Sequence, residues 1–187
     1  MKKIIIVIGM IGGLFLSSTQ VQAQSNVAAH SVSLGLPEVA LLATGGSGIN
    51  LTLSAASSAG EAVEQSIADS SAYVQFSSVI SDASPRTLSA KYTGTMPAGT
   101  TLSAMVLAPN SNAVGTTGTL VATDVTISAV DATLITDIGS CYSGTANDDG
   151  YRMRYTWGLD NPAANYADIR ATAAANITVT LTLTAAL

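Results

Sequence analysis

The sequence predicts an all-β protein, an antiparallel β-sandwich of about eight to ten short strands. Three observations carry the prediction. Ala, Thr, Ser, Val, Leu and Gly dominate while lysine and aromatic residues are scarce, a composition that suits half-buried pleated surfaces better than helices. Several runs alternate apolar and small polar residues, the period of a strand with one packed and one wet face. Gly, Pro, Asn and Asp interrupt those runs about every eight to fifteen residues, the cadence of hairpins.

The clearest alternation is the last. Across residues 176–184, Ile177, Val179, Leu181 and Leu183 interleave with Thr178, Thr180, Thr182 and Thr184. The run holds no charge or proline of the kind that edge strands use against unwanted pairing. It reads as a covered strand whose expected neighbour is the opening segment, or as an edge that a partner meets.

Residues 1–23 read as a cleaved signal peptide. Lys2 and Lys3 precede an apolar run over residues 4–16, and Val21-Gln22-Ala23 offers small residues for cleavage after Ala23. The apolar run is short for a membrane span. Residues 24–187 are then a single exported domain, bound for the periplasm, cell surface or extracellular space, with no stable membrane insertion once the signal is gone. Five basic and twelve acidic residues remain, a net charge of -7. That balance argues against nucleic acid as a partner, which is bound chiefly through Lys and Arg. Cys141 is the only cysteine, so no internal disulfide forms and packing must hold the fold.

From the start, residues 30–36 alternate Val32, Leu34 and Leu36 with Ser31 and Ser33, and Pro37 offsets the strand because it gives no N–H to a ladder. Residues 39–43 resume pairing beyond that bend. After Gly45, Gly46 and Gly48, Ile49, Leu51, Leu53 and Ala55 mark a second strand, and residues 57–71 read as a loop or single turn. Further strands are expected over 73–79, 86–92, 102–108, 120–127, 132–138 and 151–159. Residues 139–144 and 147–150 read as turns, and 160–170 as a loop returning to the final strand.

Candidates for chemistry are few. His30 is the only histidine and opens the mature chain, a poor place for a base held against a nucleophile. Cys141 has no cationic neighbour in sequence and reads as a small buried residue. Asp131, Asp137, Asp148 and Asp149 could offer oxygen ligands to calcium, but their spacing matches no EF-hand loop, and turn chemistry explains residues 147–150. No cofactor is expected. A hydrolase would need loop carboxylates such as Asp148, Asp149 and Asp160 to converge. Tyr151, Met153, Tyr155 and Trp157 share one strand face, either a core face or a platform for sugar rings, with Arg152 and Arg154 on the other face, solvated or paired with acids. Asn50 and Asn176 match the glycosylation pattern but fall within expected strands, which discounts them.

The signal, Pro37-Glu38-Val39-Ala40-Leu41-Leu42, the Pro97-Ala98-Gly99-Thr100 turn, Ile138-Gly139-Ser140-Cys141-Tyr142-Ser143-Gly144 and the terminal alternating strand together resemble small secreted proteins of Bacteroidota. The resemblance implies export and a sandwich fold and brings no active site. In size, composition and terminal strand the chain is also similar in architecture to immunoglobulin-like fimbrial pilin subunits, which lend a strand to the next subunit. The expected function is therefore that of a structural or interaction protein of the cell envelope, not an enzyme. It would be a fimbrial-type subunit or surface adhesin assembling with copies of itself or other envelope proteins through Ile177, Val179, Leu181 and Leu183. The alternative is a carbohydrate-binding module holding glycans on Tyr155 and Trp157, with Arg152 and Arg154 at the edge.

Overall fold

The computed structural model describes residues 27–46, 48–81, 84–110, 112–146, 148–172 and 175–185. The expected signal and Asn147 lie outside the described residues. The chain divides into two units, residues 1–35 and 36–187. The described part of the first, 27–35, is exposed and holds no strand or helix.

The second unit is a β-sandwich of two antiparallel sheets. One sheet is built around β2 (Ser66–Val79). Its C-terminal half pairs on one side with β1 (Val39–Gly45). On its other side it takes β10 (Tyr151–Leu159) and then the two-residue β9 (Cys141–Tyr142). β5 (Val114–Gly115) extends beyond β9, while β4 (Thr100–Pro109) and β7 (Val125–Thr126) follow β10. The other sheet runs β11 (Thr178–Ala185), β3 (Arg86–Thr93), β8 (Ala132–Ile138) and β6 (Thr119–Leu120).

Alternation decides which side chains form the core. Leu102, Ala104 and Val106 of β4 point inward together with Tyr151, Met153 and Tyr155 of β10 and Val74 and Phe76 of β2. Leu88, Ala90, Ile135 and Ile138 come from the opposing sheet. Phe76 stacks on Tyr151 at 5.2 Å between ring centroids, and the Tyr151 hydroxyl donates to the Thr117 carbonyl at 3.2 Å. Two large rings thus bridge neighbouring strands without leaving the phenol unpaired.

Where β2 meets β10, Met153 faces Ala72 but Tyr155 faces Asp69, so β2 carries one extra residue there. Asp69 takes up the irregularity, since its carboxylate accepts from the Ser71 N–H at 2.7 Å and hydroxyl at 2.6 Å. A bulge of this kind bends the strand while a local side chain satisfies the displaced backbone. Those same hydrogen bonds hold the Asp69 carboxyl below its ordinary range.

Several expectations are corrected. Residues 30–36 are not a strand, and Val32, Leu34 and Leu36 are exposed. The last strand pairs with β3, in the register Thr178 to Thr93 through Ala185 to Arg86, and not with the opening segment. Among the described residues it is an edge of its sheet rather than an interior strand paired on both sides. Residues 49–53 alternate in exposure, Ala55 is exposed, and none of 49–55 joins a ladder. β2 begins at Ser66, inside the stretch read as a loop, because its N-terminal half is held by pairing with β10 rather than by an apolar pattern of its own. The expected strand over 120–127 is two short pieces in different sheets. The turn over 139–144 contains β9, and the loop over 160–170 contains a helical turn α1 (Pro162–Asn165) and a 3-10 turn (Tyr166–Asp168). Among the described residues, no helix is long and apolar enough to cross a membrane.

Candidate assembly surface

Among the described residues β11 pairs on one side only, with β3, and its other side lies near β1; its two faces differ as the alternation requires. Ile177, Val179, Leu181 and Leu183 are half-buried against the core, while Thr178, Thr180 and Thr184 are exposed. No charged residue or proline interrupts it. The backbone groups along such an edge are a template for a further strand.

The half-burial of the apolar face has a visible cause. A cleft of about 910 Å³ opens between the sheets at this flank. Val179 and Leu181 line one side, Tyr155, Trp157 and Leu159 of β10 another, and the strap of residues 48–55 a third. Within the strap, Ile49 and Leu51 pack on the core and Leu53 is half-buried, while Asn50 and Thr52 face outward. Its far end is tied down where the Glu64 N–H donates to the Ser54 carbonyl at 3.0 Å and the Ser54 N–H donates to the Glu64 carboxylate at 2.8 Å. The Ser54 N–H accordingly holds the Glu64 carboxyl below its ordinary range. At the near end the chain enters through Gly46, at a φ of 99°, where a Cβ would stand 2.3 Å from the Ser71 carbonyl oxygen. Only glycine fits that approach.

The aromatic strand face is turned into this cleft and the core. Tyr151 and Tyr155 are buried, and Trp157 is half-buried on the cleft wall. Burial raises the Tyr155 phenol above its ordinary pKa. These rings do not form a flat exposed platform. Arg152 and Arg154 lie on the other face of β10 and do different things. Arg152 is exposed, with its guanidinium 5.6 Å from the centre of the Tyr73 ring and a hydrogen bond of 3.2 Å to the Tyr73 hydroxyl. Arg154 donates from one nitrogen to both carboxylate oxygens of Asp124, at 3.0 and 3.1 Å.

The acidic residues are not brought together. Asp131 pairs with Lys91 at 3.2 Å, and Asp137 accepts from the adjacent Thr136 hydroxyl. Asp148 is exposed. Asp149 is buried, its carboxylate accepting from Asn112, Asn110 and the Ala146 N–H at 2.5, 2.9 and 2.7 Å. The Asn112 amide, the Ala146 N–H and the Asn110 amide together lower its pKa to about 2. This carboxylate closes the loop before β10, and its oxygens are occupied in doing so. Asp160 follows the other end of β10, about 30 Å away at the rise of an extended strand. Among the described residues no group of three or more His, Cys, Asp or Glu could hold a metal. Cys141 is buried, and that burial raises its thiol pKa. Asn50 and Asn176 are both exposed outside strands, so the reason for discounting them as acceptor positions does not hold.

Two features lay beyond sequence reasoning. One is the strap as a wall of the cleft, although its alternation was visible. The other is a row of side chains across the outer face of the larger sheet, where register aligns Leu41, Ser77, Tyr142 and Val114. Leu41, Tyr142 and Val114 are 64%, 52% and 50% exposed. No local pattern could reveal a row drawn from four separate strands. Compared with family models, curated proteins and solved structures, the chain matches none of them.

Proposed function

We propose that this chain is an exported structural or interaction protein of the cell envelope, a fimbrial-type or adhesin subunit that assembles with copies of itself through strand pairing. The observation that carries the reading is β11: an eight-residue edge strand without charge or proline, backed by an apolar face that is only half-buried. A strand left in that state invites a further strand, since main-chain hydrogen bonds supply affinity and alternate side chains supply specificity. The resemblance to secreted Bacteroidota proteins and the signal-like N-terminus support an envelope setting.

Sedimentation of the chain over a range of concentrations tests the reading. Assembly that rises with concentration and is suppressed by Leu181→Lys, which puts a charge on the apolar side of the edge, is the expected result. A wild-type chain that stays monomeric up to millimolar concentration contradicts it.

A further inference from the structure

The cleft between the sheets has the size of a small-molecule site, about 910 Å³, within the range of pockets that enclose most of a ligand's surface. Its walls are largely apolar: Met153 and Trp157 of β10, Val179 and Leu181 of β11, and Ile49 and Leu51 of the strap all border it. Two polar side chains stand out against them. One is Tyr155, which is only 8% exposed and borders the cleft, and whose hydroxyl bonds to no described residue. Tyr151, on the same face of β10, donates its hydroxyl to the Thr117 carbonyl, as buried phenols ordinarily do. The other is Arg170, the one charged side chain among the described residues that line the cleft. It is exposed, and one guanidinium nitrogen donates to the Ala167 and Ile169 carbonyls at 2.6 and 2.8 Å. Those bonds hold the side chain in place without neutralising its charge, and it pairs with no carboxylate among the described residues.

We propose that the cleft binds a single-chain amphipathic carboxylate, a fatty acid with an oxygen part-way along its chain. The carboxylate meets Arg170, the chain lies between the sheets, and the Tyr155 hydroxyl donates to the mid-chain oxygen.

The placement of the two polar groups selects such a ligand. The Asp160 N–H donates to the Gly99 carbonyl at 2.9 Å, and a Cβ on Gly99 would stand 3.3 Å from the Ile169 nitrogen. Residues 169–170 therefore lie off the Leu159 end of β10. Tyr155 is four residues back from Leu159, about 13 Å along the strand, so it is met by the body of a ligand whose head lies at Arg170. The apolar side chains between them gain by covering a hydrocarbon chain. A chain without an oxygen would leave the phenol unpaired. Charge chooses the head group: the protein as a whole is acidic, with a net charge of -5, and Arg170 is a local cation beside an apolar cavity, where attraction to a carboxylate exceeds that on open surface. The site stands whether or not the chain assembles through strand pairing.

The test titrates the full chain with oleate and with ricinoleate, which is oleate carrying a mid-chain hydroxyl, each below its micelle concentration. The readout is the fluorescence of Trp157, the only tryptophan. Both should shift it saturably, ricinoleate at the lower concentration. Tyr155→Phe should weaken ricinoleate roughly three- to tenfold and leave oleate unchanged. Arg170→Gln should weaken both roughly five- to tenfold. Because the Tyr155 hydroxyl has no partner to lose, Tyr155→Phe should leave urea unfolding of the unliganded chain unchanged, which separates lost binding from lost folding. The proposal is overturned if ricinoleate gives no saturable shift, if Tyr155→Phe weakens both fatty acids alike or neither, if that variant is destabilised without ligand, or if Arg170→Gln binds both as tightly as wild type. Sedimentation decides strand assembly separately, so the failure of one reading leaves the other standing.

Discussion

Asp149 packs its carboxylate directly against Gly144, so closely that a Cβ on the glycine would stand 2.5 Å from a carboxylate oxygen. The contact locks the loop that leads into β10. With its pKa lowered to about 2 from an ordinary 3.8, Asp149 contributes stability that is fully present above about pH 4. That contribution is lost as the pH falls from 4 towards 2. Asp149→Asn should therefore lower stability at pH 7 and flatten this part of the stability curve, as read by urea unfolding at several pH values. Glu38, Glu64 and Asp69 are also lowered, so a smaller slope should persist in the variant.

Tyr151 combines ring packing with a hydroxyl bond. Tyr151→Phe removes only the bond to Thr117 and should cost about 0.5–1.5 kcal/mol. Tyr151→Ala also opens a cavity beside Phe76 and should cost about 3–5 kcal/mol. Chemical denaturation of both variants separates the contributions, and equal losses would show that the ring packing is unimportant.

Gly46→Ala places a methyl against the Ser71 carbonyl at a backbone angle that disfavours side chains. The expected cost is about 1–3 kcal/mol in thermal or urea unfolding. A neutral result would mean that the entrance to the strap relaxes freely.

Cys141 should resist an aromatic disulfide reagent in the native protein and react at once in denaturant, since it is buried and its thiol pKa is raised. Rapid native labelling would show that β9 opens readily.

The Arg154 and Asp124 pair is partly exposed, so Asp124→Asn should change stability by less than about 1 kcal/mol. A larger loss would indicate that Arg154 is left unpaired against Met105, which its guanidinium also touches at 3.1 Å.

Strands that carry their own pattern were legible in the sequence. β8 and β10 fall on the expected residues 132–138 and 151–159, and β3, β4 and β11 differ from expectation by only a few residues at their ends. What alternation could not reveal was the partner. Residues 30–36 and 49–53 alternate as cleanly as β11, and neither is paired, because a period of two shows that a segment can pair without naming its neighbour. The first half of β2 failed in the opposite way: residues 66–72 are mostly Ser, Ala and Asp, and only the distant β10 makes them a strand. The inward turn of Tyr155 and Trp157 followed from the scarcity of large apolar residues, whereas the cleft they line depends on a strap whose position no local signal encodes.

The pairing of β2 with β10 also has a kinetic meaning. Ile67 faces Trp157 and Thr93 faces Thr178, so both sheets are closed by contacts between residues about 85–90 positions apart. Loop-closure entropy must be overcome before such contacts reward the chain, and β-sandwiches of this kind fold on the order of milliseconds to seconds. These distant pairings, rather than any local turn, therefore set the pace at which the two sheets close.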